Sequence, residues 1–219
     1  MNIQDIKATI REAFKDVRKN GIGVREAIAI DDYASVEERE AARREDVEVH
    51  WWDIPPQWQP RLTEAFSFTD IPGFRFLLPA AMTASLDRVD DGLGHSVWFQ
   101  LAHWNQRTGE QPPHHGHPPF IKYLEGISAR DNANYFSLDA AQIHAVACFL
   151  DWYMRDTKSL IYLPRERYFE ITTKTNQSIK EQVPPENYSL TIEDEMAVFD
   201  QECRIVREWL AMGGIQPTA

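Results

Sequence analysis

Six apolar residues near the C-terminus, Ile192, Met196, Phe199, Cys203, Val206 and Leu210, recur at steps of four and three residues. That spacing follows the turn of an α-helix and places all six on one stripe. Thr191 stands where an N-cap belongs, Glu193 to Glu195 suit the N-terminal end of the helix dipole, and Gly213 ends the run. The N-terminus repeats the pattern with Ile3, Ile6, Ile10, Phe14 and Val17, capped by Asn2 with Asp5 in the first turn and stopped by Asn20-Gly21. A third apolar face follows Ser137, which is read as its cap, and runs through Leu138, Ala141, Ala145, Val146, Phe149, Trp152 and Tyr153. Helical stripes of this width need a common core, so the chain is expected to be helix-rich.

Between these helices the pattern is mixed. Residues 35–49 read as a charged helix in which Ser35 and Glu38 have capping-box spacing. A short helix is expected from about Gln57 to Ala65. Ile71-Pro72-Gly73-Phe74 suits a type II turn, and Phe74-Arg75-Phe76-Leu77-Leu78 reads as a short strand ended by Pro79. Ala80 to Asp87 reads as a helix, and Val97 to Leu101 as a short buried segment. Leu160 to Leu163 and Tyr168 to Thr172 are β-rich runs flanking Pro164-Arg165-Glu166-Arg167, the pattern of a hairpin. The expected fold class is therefore α+β: a helix-rich single domain, residues 1–219, with a small β-sheet or hairpin and a C-terminal amphipathic helix. Residues 105–119 read as an exposed Pro/His-rich loop, and 174–219 as a linker plus a last helix docking on the domain.

The formal net charge is −11. Binding to nucleic acid or to an anionic membrane requires basic side chains, so neither is expected. Residues 181–219 carry eight acidic and two basic side chains, −6 of the total −11. No apolar run approaches the roughly 20 residues of a membrane span, and the first residues read as an amphipathic helix rather than a signal peptide. Cys148 and Cys203 sit in helical apolar patterns, as small buried residues of a reducing compartment do. The expected location is the cytoplasm.

Recognisable catalytic motifs are absent: there is no Gly-x-Ser-x-Gly, no His-Glu-x-x-His and no Walker motif. Gly21-Ile22-Gly23 precedes a helix and has the makings of a phosphate cradle. No strand leads into it and no Lys-Ser/Thr pair follows, so a plain turn is expected. His114, His115 and His117 offer imidazoles, yet a closed metal site needs four ligands, and only adventitious metal binding is expected there. No cofactor is expected. The candidate binding residues lie in a polar-aromatic stretch: Asp31 and Asp32 as paired carboxylates, His50 as an acid–base group beside Trp52, and Arg75 between two phenylalanines. Adjacent carboxylates on a helix point about 100° apart, so Asp31-Asp32 reads first as a helix end. Arg75 reads first as the partner of Asp70, Asp53 or Asp32 in an internal ion pair, and only then as a substrate clamp.

Asp31-Asp32-Tyr33, Trp52 to Pro55, and Gly73-Phe74-Arg75-Phe76-Leu77-Leu78-Pro79-Ala80-Ala81-Met82 together resemble a bacterial family of uncharacterised proteins. Its mark is a GFRFYLPA-like block, with Leu77 here in place of the tyrosine. The resemblance spans roughly residues 8–155 and implies a shared fold without a mechanism. The functional expectation is a non-enzymatic, acidic, protein-binding protein, one version being an immunity-like inhibitor of a basic toxin. Two alternatives stand beside it. One is a hydrolase or small-ligand-binding protein with a pocket around Asp32, His50, Trp52 and Arg75. The other is a dimeric scaffold built through the last helix.

Overall fold

A computed structural model describes residues 1–89, 92–102, 118–156, 169–170, 173 and 191–216. In chain order the α-helices are α1 (Ile3–Ala13), α2 (Val24–Asp31), α3 (Val36–Glu45), α4 (Leu62–Ala65), α5 (Ile71–Leu86), α6 (Leu93–Ala102), α7 (Pro118–Glu125), α8 (Ala129–Tyr135), α9 (Ala140–Asp156) and α10 (Ile192–Met212). Two 3₁₀ turns, Trp51–Asp53 and Pro56–Arg61, connect α3 to α4.

The α+β expectation is overturned: among the described residues there is no strand and no sheet. An isolated bridge between Arg18 and His50 is the one β-type pairing they show. The expected turn and strand at residues 71–78 belong instead to α5, and Pro79 lies inside that helix. Twelve of the sixteen residues of α5 are buried, and they cover its whole circumference. A helix buried on every side has no apolar/polar period, and a short stretch of it looks like a core strand. Pro72 fits because the first-turn N–H it lacks would have no partner anyway. Asp70 caps the helix by accepting the Gly73 N–H at 2.9 Å. Of the expected hairpin, Leu160 to Leu163 lie outside the described residues, while Phe169 and Glu170 are helical. Most of the 105–119 segment, including His114, His115 and His117, also lies outside them, and Pro118 and Pro119 open α7.

The core forms around α9 and α5. α9 packs on α1 and α10, α10 also reaches α6, α7 and α8, and α5 packs on α1 and α6. The stripe residues Met196, Phe199, Cys203, Val206 and Leu210 are all buried. Trp209 is fully enclosed and donates its indole N–H to the Leu101 carbonyl at 3.1 Å, so its polar edge is satisfied. Ser137 does not cap α9. It takes a positive φ of 52°, and Asp139 caps instead, accepting the Gln142 N–H at 2.9 Å. The capping boxes at Asn2/Asp5, Ser35/Glu38 and Thr191/Asp194 form as their spacing requires. No helix of the described residues is long and apolar enough to cross a membrane.

Candidate functional site

The Gly21-Ile22-Gly23 turn is closed by carboxylates from elsewhere in the chain. Asp46 accepts the N–H groups of Arg25 at 3.0 Å and Glu26 at 3.1 Å, the free donors of the first turn of α2. Asp70 accepts the Ile22 N–H at 3.0 Å as well as that of Gly73. A phosphate would have to displace both carboxylates, so this turn is an internal joint. Arg25 completes it, reaching Asp46 at 3.1 Å and Glu48 at 2.7 Å. Burial alone would lower the pKa of Arg25, but hydrogen bonds to Glu48 and Asp46 outweigh it and hold the group above its ordinary value. Buried Glu26 pairs with Arg43 of α3.

The sequence candidates fall in different places. Asp31 ends α2 and Asp32 is its exposed C-cap. His50 stacks on Trp52, with ring centroids 4.3 Å apart and an interplanar angle of 12°. The Arg11 guanidinium sits 3.3 Å from the Trp52 centroid, close enough for a cation–π contact. Trp52, Arg11, Lys7 and Thr83 line a cleft of about 280 Å³ between α1 and α5. Arg75 lines a different cavity. It makes no ion pair with Asp70, Asp53 or Asp32.

The Arg75 cavity, of about 390 Å³, lies where three segments meet. The segment after α1 supplies Asp16 and Arg18, the first turns of α5 supply Pro72 and Arg75, and the α8–α9 connection with the start of α9 supplies Ser137, Asp139 and Gln142. Phe136 is fixed beside it by stacking on Phe74, centroids 3.8 Å apart and planes at 15°. Gln142 is 2% exposed and fully engaged. Its Oε1 accepts from the Asp139 N–H and from Arg75 Nη2, each at 3.2 Å, and its Nε2 donates to the Ala13 carbonyl at 3.4 Å.

Arg75 is left with that single neutral partner. Its Nε–H is buried and has no acceptor. Among the described residues no carboxylate lies within ion-pairing distance of it. Arg18 is bonded to the Lys15 carbonyl at 2.6 Å and has no carboxylate partner either. An unneutralised, partly buried guanidinium with an unused donor is costly. Left-handed backbone at the non-glycine Ser137 adds strain at the same wall. The geometry therefore presents a polar recess with two guanidinium groups that no carboxylate of the described residues neutralises, and its lining holds neither histidine nor cysteine.

Arg18, Asp139 and Gln142 carried no sequence signal, and Ser137 carried only that of a helix cap, because they meet Arg75 only through the packing of α5 and α9 and the segment after α1. Among the described residues no group of three or more His, Cys, Asp or Glu side chains is arranged to hold a metal. No curated protein and no solved structure matches the chain. A family model matches residues 2–160, a span that contains every residue of the Arg75 cavity, and the chain belongs to that family, the family of unknown function DUF6714.

Proposed function

We propose that the protein binds a small molecule bearing a carboxylate, held in the Arg75 cavity. The observation that carries this reading is the buried, acceptor-free Nε–H of Arg75 in a recess it shares with Arg18, which has carbonyl partners and, among the described residues, no carboxylate. A planar carboxylate matches the guanidinium fork, taking two parallel N–H bonds and neutralising the charge. Asp16 and Asp139 on the same lining suit a hydroxyl or ammonium group elsewhere on the ligand. The reading is one of binding: the recess offers positioning and charge. The two free, buried cysteines fit a reducing compartment such as the cytoplasm. An acidic surface for a basic protein partner is the second reading, supported by the net charge of −11.

A thermal-shift panel of acetate, succinate, glutamate and phenylacetate tests the first reading. A ligand present at 100 times its Kd stabilises by about 2.7 kcal/mol, roughly 5–11 °C for a chain of this size. At least one carboxylate should shift the native protein and leave Arg75→Met unmoved. If none shifts it, or if both proteins shift alike, the cavity is not a carboxylate site.

A further inference from the structure

On the far side of α9, His144 and Cys148 stand one helical turn apart, with Cys148 Sγ 3.5 Å from His144 Nε2. His144 Nδ1 lies 2.6 Å from the Gly213 carbonyl oxygen. A carbonyl only accepts, so Nδ1 carries the ring proton and Nε2 turns its lone pair toward the thiol. Glycine makes this possible: a Cβ at position 213 would overlap the Cβ of Ala147, so only a glycine lets the end of α10 come so near. Nucleophile, base and orienting group are thus in sequence, Cys148–His144–Gly213. The cysteine forms part of the wall of a cavity of about 400 Å³, whose other walls include Ile6, Trp152, Ile215, Arg155 and Gln216.

We propose that Cys148 and His144 form a nucleophilic thiol site for a small α,β-unsaturated carbonyl compound. The inference is independent of the Arg75 cavity. Burial pushes the Cys148 thiol up, so it rests as a neutral S–H and needs a base at the moment of attack. In the addition, the thiol proton passes to His144 Nε2 while sulfur bonds to the β-carbon. The π pair of the double bond moves to the α-carbon and carbonyl oxygen as an enolate, and the imidazolium returns the proton to the α-carbon. Nothing leaves and no co-reactant enters. The mixed lining suits this class, with apolar Ile6, Trp152 and Ile215 for the carbon skeleton and the Gln216 amide for the carbonyl oxygen, while Arg155 is held in a bidentate pair by Asp151 of the same wall.

N-ethylmaleimide, itself an α,β-unsaturated carbonyl, is the probe, and peptide mass spectrometry of the native protein is the readout. Cys203 is the internal control, since its thiol is buried and pushed up to about 12. The adduct should form on Cys148 while Cys203 stays unmodified until denaturant is added. His144→Gln should slow the Cys148 adduct at least about tenfold, a conservative share of general-base catalysis. Continued protection of Cys203 in that variant reports an intact fold. Modification of both cysteines only under denaturant, or an undiminished rate in His144→Gln, overturns the site. The Cys148-to-Cys203 ratio in the native protein decides the matter even if the variant does not fold.

Discussion

Replacing Arg75 with methionine should stabilise the ligand-free protein. The substitution removes one charge-assisted hydrogen bond, Nη2 to Gln142 at 3.2 Å, worth about 1.5–3 kcal/mol. It also removes the buried Nε–H that has no acceptor, a penalty of about 1–3 kcal/mol. These two terms roughly cancel. Gln142 Oε1 keeps the Asp139 N–H, so no new orphan is created, and the methionine stem retains much of the arginine packing. What remains is the desolvation of a charge with no counter-ion, which an apolar side chain does not carry. The expected gain is about 1–2 kcal/mol, or roughly 2–8 °C in Tm. Urea unfolding at pH 7, with unchanged m-value and a raised midpoint, is the assay. A loss of more than about 1 kcal/mol would mean that Arg75 is a structural strut and would refute the reasoning. A gain shows that the arginine is kept at a cost to stability.

Other outcomes follow from the internal joints. Asp46→Ala deprives Arg25 and Glu26 of their N–H acceptor and Arg25 of an ion-pair partner; a loss of about 3–5 kcal/mol in chemical denaturation is expected. Gly73→Ala reverses the usual helix preference. The new Cβ would meet the Ile22 carbonyl oxygen and lie 2.8 Å from Asp70 Oδ1. The substitution should therefore cost about 1–3 kcal/mol instead of gaining about 1 kcal/mol. Thr191→Ala should cost about 1 kcal/mol at pH 7. The Asp194 carboxyl is held below its ordinary range by the Thr191 N–H and hydroxyl. Its contribution is present above the unfolded carboxylate pKa and is lost as pH falls through the lower folded value. The gap between this variant and the native protein should narrow in acid, measurable by thermal melts at pH 7 and pH 3.

The helices that bury one stripe and cap themselves locally were legible in the residues. α1, α3 and α10 carry their caps within three positions, as Asn2/Asp5, Ser35/Glu38 and Thr191/Asp194. α5 was not legible. Phe74, Phe76, Leu77, Leu78 and Met82 are all enclosed, so the period that marks an amphipathic helix is erased. Remote caps are equally silent in sequence. Asp46 serves α2 from 20 and 21 residues away, and Asp70 serves the Ile22 N–H from 48 residues away. The grouping of Asp32, His50, Trp52 and Arg75 shows the same limit. It assumed that chemistry-bearing residues in one stretch share a surface, whereas Trp52 and Arg75 line different cavities. The spacing of His144 and Cys148 was readable in principle, since a four-residue step on a helix brings side chains together.

Side-chain ¹⁵N NMR of the arginine Nε–H resonances, followed as a carboxylate from the thermal-shift panel is titrated in, asks the question at the atom that carries the proposal. Binding in the cavity predicts a saturable shift of the Arg75 Nε–H and a smaller one at Arg18. Arg25, already paired with Asp46 and Glu48, should not move. An Arg75 resonance that stays fixed at saturating ligand, or a shift confined to Arg11 in the Trp52 cleft, would contradict it.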